Sequence, residues 1–271
     1  MILSRRQLLR TSVLATSAVT LHSSTSAAMP LDATLPTPDN LGSTDLIQTQ
    51  HPRIAALAKE ITRTADSDRK AAILIHDWVR DQILFGIPSG FYETSATETL
   101  DQKVGYCNTK VTLFSALLRA RKIPTRMRMM DLSAQVLQGL FNPGSPYVDH
   151  AISEVFLEGR WIKVDSYVVD KRLAAVASKK LTASRSKAGL GIHIDGKTDW
   201  DGQSDNFIQC LDNQTIPSYV LKDHGLMMDV ADFYQRAPAP RNRKTLMVDL
   251  MTRFGSSYIN QTINSIRKEA A

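Results

Sequence analysis

From residue 51 onward the apolar positions fall into helical stripes, then into short alternating runs. Ile54, Leu57, Ala58 and Ile61 share one stripe and predict a helix over 51–64. Asp66 or Ser67 can cap a second helix that runs to about Ile83, with Ile73, Leu74, Trp78 and Ile83 on its apolar face. Gly86-Ile87-Pro88-Ser89-Gly90 then breaks the chain. A third helix is predicted from Cys107 to Arg121. Val111, Phe114, Leu117 and Leu118 recur along it, and Arg119, Arg121 and Lys122 stand at its C-terminal end, where the helix dipole favours cations. Pro124 stops it.

Period-two patterning follows. Arg126–Leu132 reads as a strand, and the stretch from Phe141 to Pro146 as a loop. His150–Leu157 and Arg160–Ser166 read as strands joined by Glu158-Gly159, a two-residue hairpin signal. Beyond Lys171 the pattern weakens. Gly189 to Gln203 reads as a long loop with four glycines and three aspartates, and the last 25 residues as helical. No internal repeat is present.

Composition alters this picture mainly at the N-terminus. Ser4-Arg5-Arg6-Gln7-Leu8-Leu9-Arg10, a weakly apolar run from Thr11 to Leu21, and Ser26-Ala27-Ala28 have the layout of an export signal, residues 1–28. The paired arginines followed by leucines resemble the bacterial twin-arginine type, so the mature chain is expected to be periplasmic or secreted. The apolar run is too short and too rich in Ser, Thr and Ala to span a bilayer comfortably, so no stable membrane span is expected after signal removal. Without this segment the net charge falls from +6 to +3, and no Lys/Arg cluster interleaved with aromatics argues for nucleic acid. Residues 29–50, with Pro30, Pro36 and Pro38, read as an extended lead-in, and 51–271 as a single domain. The 43% hydrophobic and 22% charged content suits a globular core without disulfide staples. Oligomeric state is left open.

The chemistry gathers around Cys107, one of two cysteines. It follows Gly105 at the start of a predicted helix, where free N–H groups and the dipole favour a thiolate and could stabilise an oxyanion. The opposing reading is a buried structural thiol, or a Cys107–Cys210 disulfide in an oxidising compartment. The hairpin bears on the choice. If Leu157 pairs with Arg160, Ile152 lies opposite Asp165 and His150 opposite Tyr167, which puts all four on one face. His150 and Asp165 are then diagonal neighbours about 7–8 Å apart at the backbone, within side-chain reach. An imidazole held by a carboxylate is the base-and-orienter half of a triad. Asp149 points to the other face. Asp195, Asp199, Asp201 and Asp205 fit no EF-hand spacing and read as a solvated acidic loop. No metal-type spacing of Cys and His occurs, and no metal or cofactor is expected. His51, His76, His193 and His224 show no partner in sequence.

These residues also resemble a known family. Thr99-Leu100-Asp101-Gln102-Lys103-Val104-Gly105-Tyr106-Cys107-Asn108-Thr109-Lys110, continuing to Ile123-Pro124-Thr125-Arg126, looks like the nucleophile segment of the transglutaminase-like superfamily. The run from His150 through Trp161 to Asp165 looks like its histidine–aspartate hairpin, and the resemblance covers residues 68–170. It implies a papain-like α+β core with N-terminal helices and the nucleophile helix packed on an antiparallel sheet. Residues 171–271 are then a C-terminal extension. It further implies Cys107 as nucleophile, His150 as general base and then acid, and Asp165 as orienter. The activity implied is attack on the amide carbonyl of a peptide or protein to give a thioester, completed by water or an amine. Gln102 could donate to the oxyanion, as a glutamine does in papain-like enzymes; a surface loop amide is the competing reading. A non-catalytic cell-envelope binding module on the same fold is the alternative function.

Overall fold

Ser67 Oγ accepts a hydrogen bond from the Lys70 amide and starts the second helix where the sequence places it. The computed structural model describes residues 35–211, 219–236 and 255–270. The expected export signal lies outside them, as does the first part of the lead-in. The described residues belong to one compact unit.

Helix α1 (Pro52–Ile61) is capped by the His51 ring and ends short of the expected boundary, where the Thr62 hydroxyl turns back onto the Ala58 carbonyl. Helix α2 (Asp68–Gln82) leads into strand β1 (Leu84–Phe85). Helix α3 (Ala96–Gln102) was not legible as an apolar stripe. It is set by a capping box in which Ser95 and Glu98 satisfy each other's amides. Strand β2 (Val104–Gly105) pairs in parallel with β1 and delivers the chain to α4 (Cys107–Ala120).

Every residue of α4 from Cys107 to Arg119 is buried, so the stripe read from the sequence is one face of a central helix. Its one lysine, Lys110, donates to the carbonyls of Arg80 and Ile83, closing the C-terminal end of α2. Burial lowers the Lys110 pKa to about 7.

Strands β3 (Thr125–Ser133), β4 (Tyr147–Leu157) and β5 (Arg160–Val164) follow. Helix α5 (Lys171–Ser184) begins at the Asp170 cap. The short antiparallel pair β6 (Ala188–Gly189) and β7 (Ile192–His193) interrupts the expected long loop. Strand β8 (Val220–Met227), which the sequence pattern did not reveal, completes an antiparallel sheet of order β5-β4-β3-β8. The protein is therefore α+β, with the cysteine helix packed on an antiparallel sheet, as the sequence implied.

Glu158 and Gly159 both have positive φ, 51° and 83°, as a tight two-residue hairpin turn demands. Leu157 faces Arg160, and the register runs unbroken to Ser153 opposite Val164. There it stops, two residues before the expected end at Ser166. The Asp165 amide donates to the Asn206 carbonyl and the Val168 amide to the Asp165 carbonyl, so the chain turns away from β4. Tyr167 is consequently not on His150's face. Its ring packs 4.3 Å from that of Phe114 on α4, and its hydroxyl bonds Ser153 at 2.8 Å.

The acidic loop is tied down by protein groups. Asp199 pairs with Lys171 and Arg80, and Asp201 accepts the amides of Gln203 and Ser204. Among the described residues no group of three His, Cys, Asp or Glu side chains could hold a metal.

After α6 (Val230–Arg236), the C-terminal helix α7 (Ser256–Lys268) closes over the β1 segment. Buried Arg267 pairs with Asp170 at 2.8 Å and donates to the Phe85 carbonyl, while Asn260 binds both backbone groups of Ile87. Part of the extension thus clamps the strand pair that ends at the nucleophile segment.

Candidate active site

Gly105 lets the chain enter α4 tightly, since a β-carbon there would lie 2.7 Å from the Thr109 hydroxyl. The turn puts Cys107 in the first turn of a buried 14-residue helix. Because β5 ends opposite Ser153, β4 carries residues 147–152 past the end of its neighbour. Cys107 meets that overhang, with Sγ 3.7 Å from the Asp149 carbonyl. His150 follows immediately.

Asp165 reaches His150 from outside the ladder. Its Oδ2 lies 2.9 Å from His150 Nε2, leaving Nδ1 as the ring nitrogen available to Cys107. The same carboxylate accepts the amides of Ile208 at 2.6 Å, Gln209 at 3.3 Å and Cys210 at 2.9 Å. Both side chains are buried, at 1% and 0% exposure, so the carboxylate's charge is balanced by protein donors alone. The segment 208–210 is the part of the site that the sequence reading missed. It contributes backbone amides, which carry no residue-type signal.

Burial by itself lowers the His150 pKa, but Cys107 and Asp165 outweigh it and raise the pKa to about 10. The folded value exceeds the ordinary 6.5, so protonation of His150 stabilises the fold fully below about pH 6.5. That contribution is lost as pH rises through about 10. Ring proton NMR should therefore find His150 still an imidazolium at pH 8, with its titration moved markedly downward in Cys107→Ala. A midpoint near 6.5 in the unmodified protein contradicts this pairing.

The structure brings Cys107, His150 and Asp165 together, but it places Gln102 elsewhere. The Gln102 side-chain oxygen accepts from the Ser89 amide and hydroxyl, at 2.9 and 3.2 Å. It holds the loop after β1, the loop-amide role that the sequence also allowed. The disulfide alternative is not realised either. Neither cysteine is in a disulfide, and Cys210 Sγ lies 3.0 Å from Met130 Sδ. Among the described residues the remaining histidines have partners made by the fold: His76 with Ser166 and Asp77, His224 with Asp131, His193 with the Asp195 amide, and His51 with the α1 cap.

Residues 55–166 match the family model described as the transglutaminase-like superfamily, a span that contains all three site residues. These residues are similar to a transglutaminase-like domain. Two solved structures align with it in part. A protein of Cytophaga hutchinsonii, described as a presumed cysteine protease, is 24% identical with a TM-score of 0.39, over 48% of this chain and 42% of its own. A presumed protease of Parabacteroides distasonis is 13% identical with a TM-score of 0.33, over 44% of this chain and 24% of its own. The chain thus spans less than half the length of either. Among curated proteins no sequence match is found.

Proposed function

We propose that the domain is a cysteine-dependent amide hydrolase or acyltransferase that works through a thioester on Cys107. The observation that carries this reading is the His150 Nε2–Asp165 Oδ2 bond at 2.9 Å, which fixes the ring with its other nitrogen left for the thiol. The Cys107 thiolate attacks the amide carbonyl carbon. The carbonyl electrons move to oxygen, beside the unbonded amides of the first α4 turn. As the tetrahedral species collapses, the C–N bond breaks and the His150 imidazolium gives its proton to the leaving nitrogen. Water or an amine then attacks the thioester carbon while the neutral His150 takes its proton. Collapse of this second tetrahedral species breaks the C–S bond, releases the acid or new amide and returns the electron pair to the Cys107 thiolate. Asp165 keeps the ring oriented throughout and stabilises it whenever it is protonated.

The substrates are proposed to be peptides or proteins. The arginine block near the N-terminus supports action outside the cytoplasm. Incubation with a peptide library, an acid quench and peptide mapping test the mechanism. The expected product is an acyl adduct on Cys107, lost on treatment with hydroxylamine. Adducts only on other residues, or none during demonstrable turnover, would overturn it.

A further inference from the structure

A second hydrogen-bonded string of Asp, His and Ser lies behind Asp165. His76, on α2, has Nε2 2.7 Å from Ser166 Oγ and Nδ1 2.9 Å from Asp77 Oδ1. Its ring packs against Trp200 at 5.5 Å, Tyr167 at 6.0 Å and Phe114 at 6.4 Å. His76 and Ser166 are both at 0% exposure, so the string offers no nucleophile to a substrate and is no second active site. Asp77 is half-exposed and shares Oδ1 with Arg80 Nη1 at 2.8 Å.

The protons of the string follow from the chemistry of its members. Burial works against ionisation of Asp77, but the His76 bond and the Arg80 charge outweigh it and hold the carboxyl below its ordinary range. An ionised Asp77 can only accept, so His76 Nδ1 carries hydrogen. Burial, helped by Arg80 and Lys110, lowers the His76 pKa against the pull of Asp77 and favours the neutral ring, which has one N–H. Nε2 then accepts, and the Ser166 hydroxyl donates to it.

Ser166 directly follows Asp165. Residues 165–168 form a turn closed by the Val168 amide on the Asp165 carbonyl at 2.8 Å. Its two inner residues are anchored on separate elements, Ser166 on His76 of α2 and Tyr167 on Ser153 of β4 at 2.8 Å. The ladder with β4 has already ended at Val164 and does not hold the Asp165 backbone. The direction in which the Asp165 side chain leaves the chain therefore depends on these anchors and on the Asn206 carbonyl that its amide meets.

We propose that His76 is a positioning residue for Asp165: its bond to Ser166 fixes the turn from which the carboxylate reaches His150. The role rests on the reading of His150 as base and Asp165 as its orienter. Asp77 sets the tautomer that makes Nε2 the acceptor, which extends the support of the base to the surface of α2.

The His150 ring titration, followed by proton NMR, tests this without a substrate. Ser166→Ala and His76→Phe should each move its midpoint down from about 10, by about half a pH unit or more, because a displaced Asp165 holds the imidazolium less well. The double variant should move it no further than either single one, since both remove the same bond. With a peptide that acylates Cys107 as substrate, kcat should fall about tenfold at unchanged KM. Ser166→Ala removes one hydroxyl and keeps the packing, so it decides the matter even where His76→Phe does not fold. An unchanged His150 midpoint in Ser166→Ala, whatever the loss of stability, would reduce the string to a structural contact and overturn the proposal. Shifts that add in the double variant, or a loss confined to KM, would overturn it as well. The titration involves no turnover, so the string can fail while Cys107 stands as nucleophile, and Cys107 can fail while the string stands.

Discussion

Replacing Cys107 with alanine should abolish amide turnover, by about 10³-fold or more, because a nucleophile's loss removes the covalent route entirely. The fold should survive. Cys107 is a small side chain at 6% exposure, and alanine keeps the first turn of α4 intact. Steady-state hydrolysis of any substrate found through acyl trapping measures the loss, and circular dichroism confirms that the protein remains folded. Iodoacetamide gives a second readout that needs no substrate. Cys107 faces the His150 imidazolium, whereas Cys210 is buried against Met130 and Ile152. Peptide mapping after brief treatment should find Cys107 modified first. An alanine variant with full activity, or Cys210 alkylated ahead of Cys107, would remove Cys107 from the mechanism.

The candidate site residues Cys107, His150 and Asp165 were legible because each had a local sequence signal. Gly105 and the stripe of Val111, Phe114 and Leu117 marked a helix starting at Cys107. The Glu158-Gly159 turn set the register that brings β4 and β5 together. The pairing of His150 with Asp165 followed from that register, yet the contact is not made within the ladder. β5 ends at Val164, and Asp165 turns toward Asn206 and the 208–210 amides. A strand boundary set by a segment some 40 residues distant leaves no mark on the period-two pattern around it, and so Tyr167 was assigned to the wrong face. The Gln102 contact was hidden for a related reason. Distance along the chain placed it near Cys107, but α3 ends there and turns its amide oxygen to Ser89. Asn108 and Tyr234 are 126 positions apart and meet only because α6 packs near the start of α4. Their proximity depends on tertiary packing alone. The partners of His76 and His224 were hidden in the same way.

Asp165→Ala should cost both rate and stability, and by more than a group that only orients an imidazole would. The carboxylate meets four donors at once: His150 Nε2 and the amides of Ile208, Gln209 and Cys210. Truncation leaves a buried imidazolium without its counter-charge, and removing one member of a buried ion pair typically costs about 3–5 kcal/mol. It also leaves three amides unsatisfied, so loop 206–210 is expected to detach from the end of β5. Urea unfolding should show the loss as a lower midpoint, and hydrogen exchange should localise it to 206–210. Turnover should fall about 10³–10⁴-fold, chiefly in kcat, because the ring loses its fixed orientation. Asp165→Asn separates the two roles. With its oxygen toward His150, its NH2 group must face the Ile208 amide that now sits 2.6 Å from Oδ1, donor against donor. With the amide flipped, the NH2 group opposes His150 and the amides of Gln209 and Cys210. The first orientation sacrifices one bond and the second three, so the first should prevail. Asparagine should then retain more activity than alanine while still loosening the loop. Equal stability of wild type and Asp165→Ala would mean that the four-donor arrangement does not hold the loop, and unchanged kcat would mean that it does not hold the base.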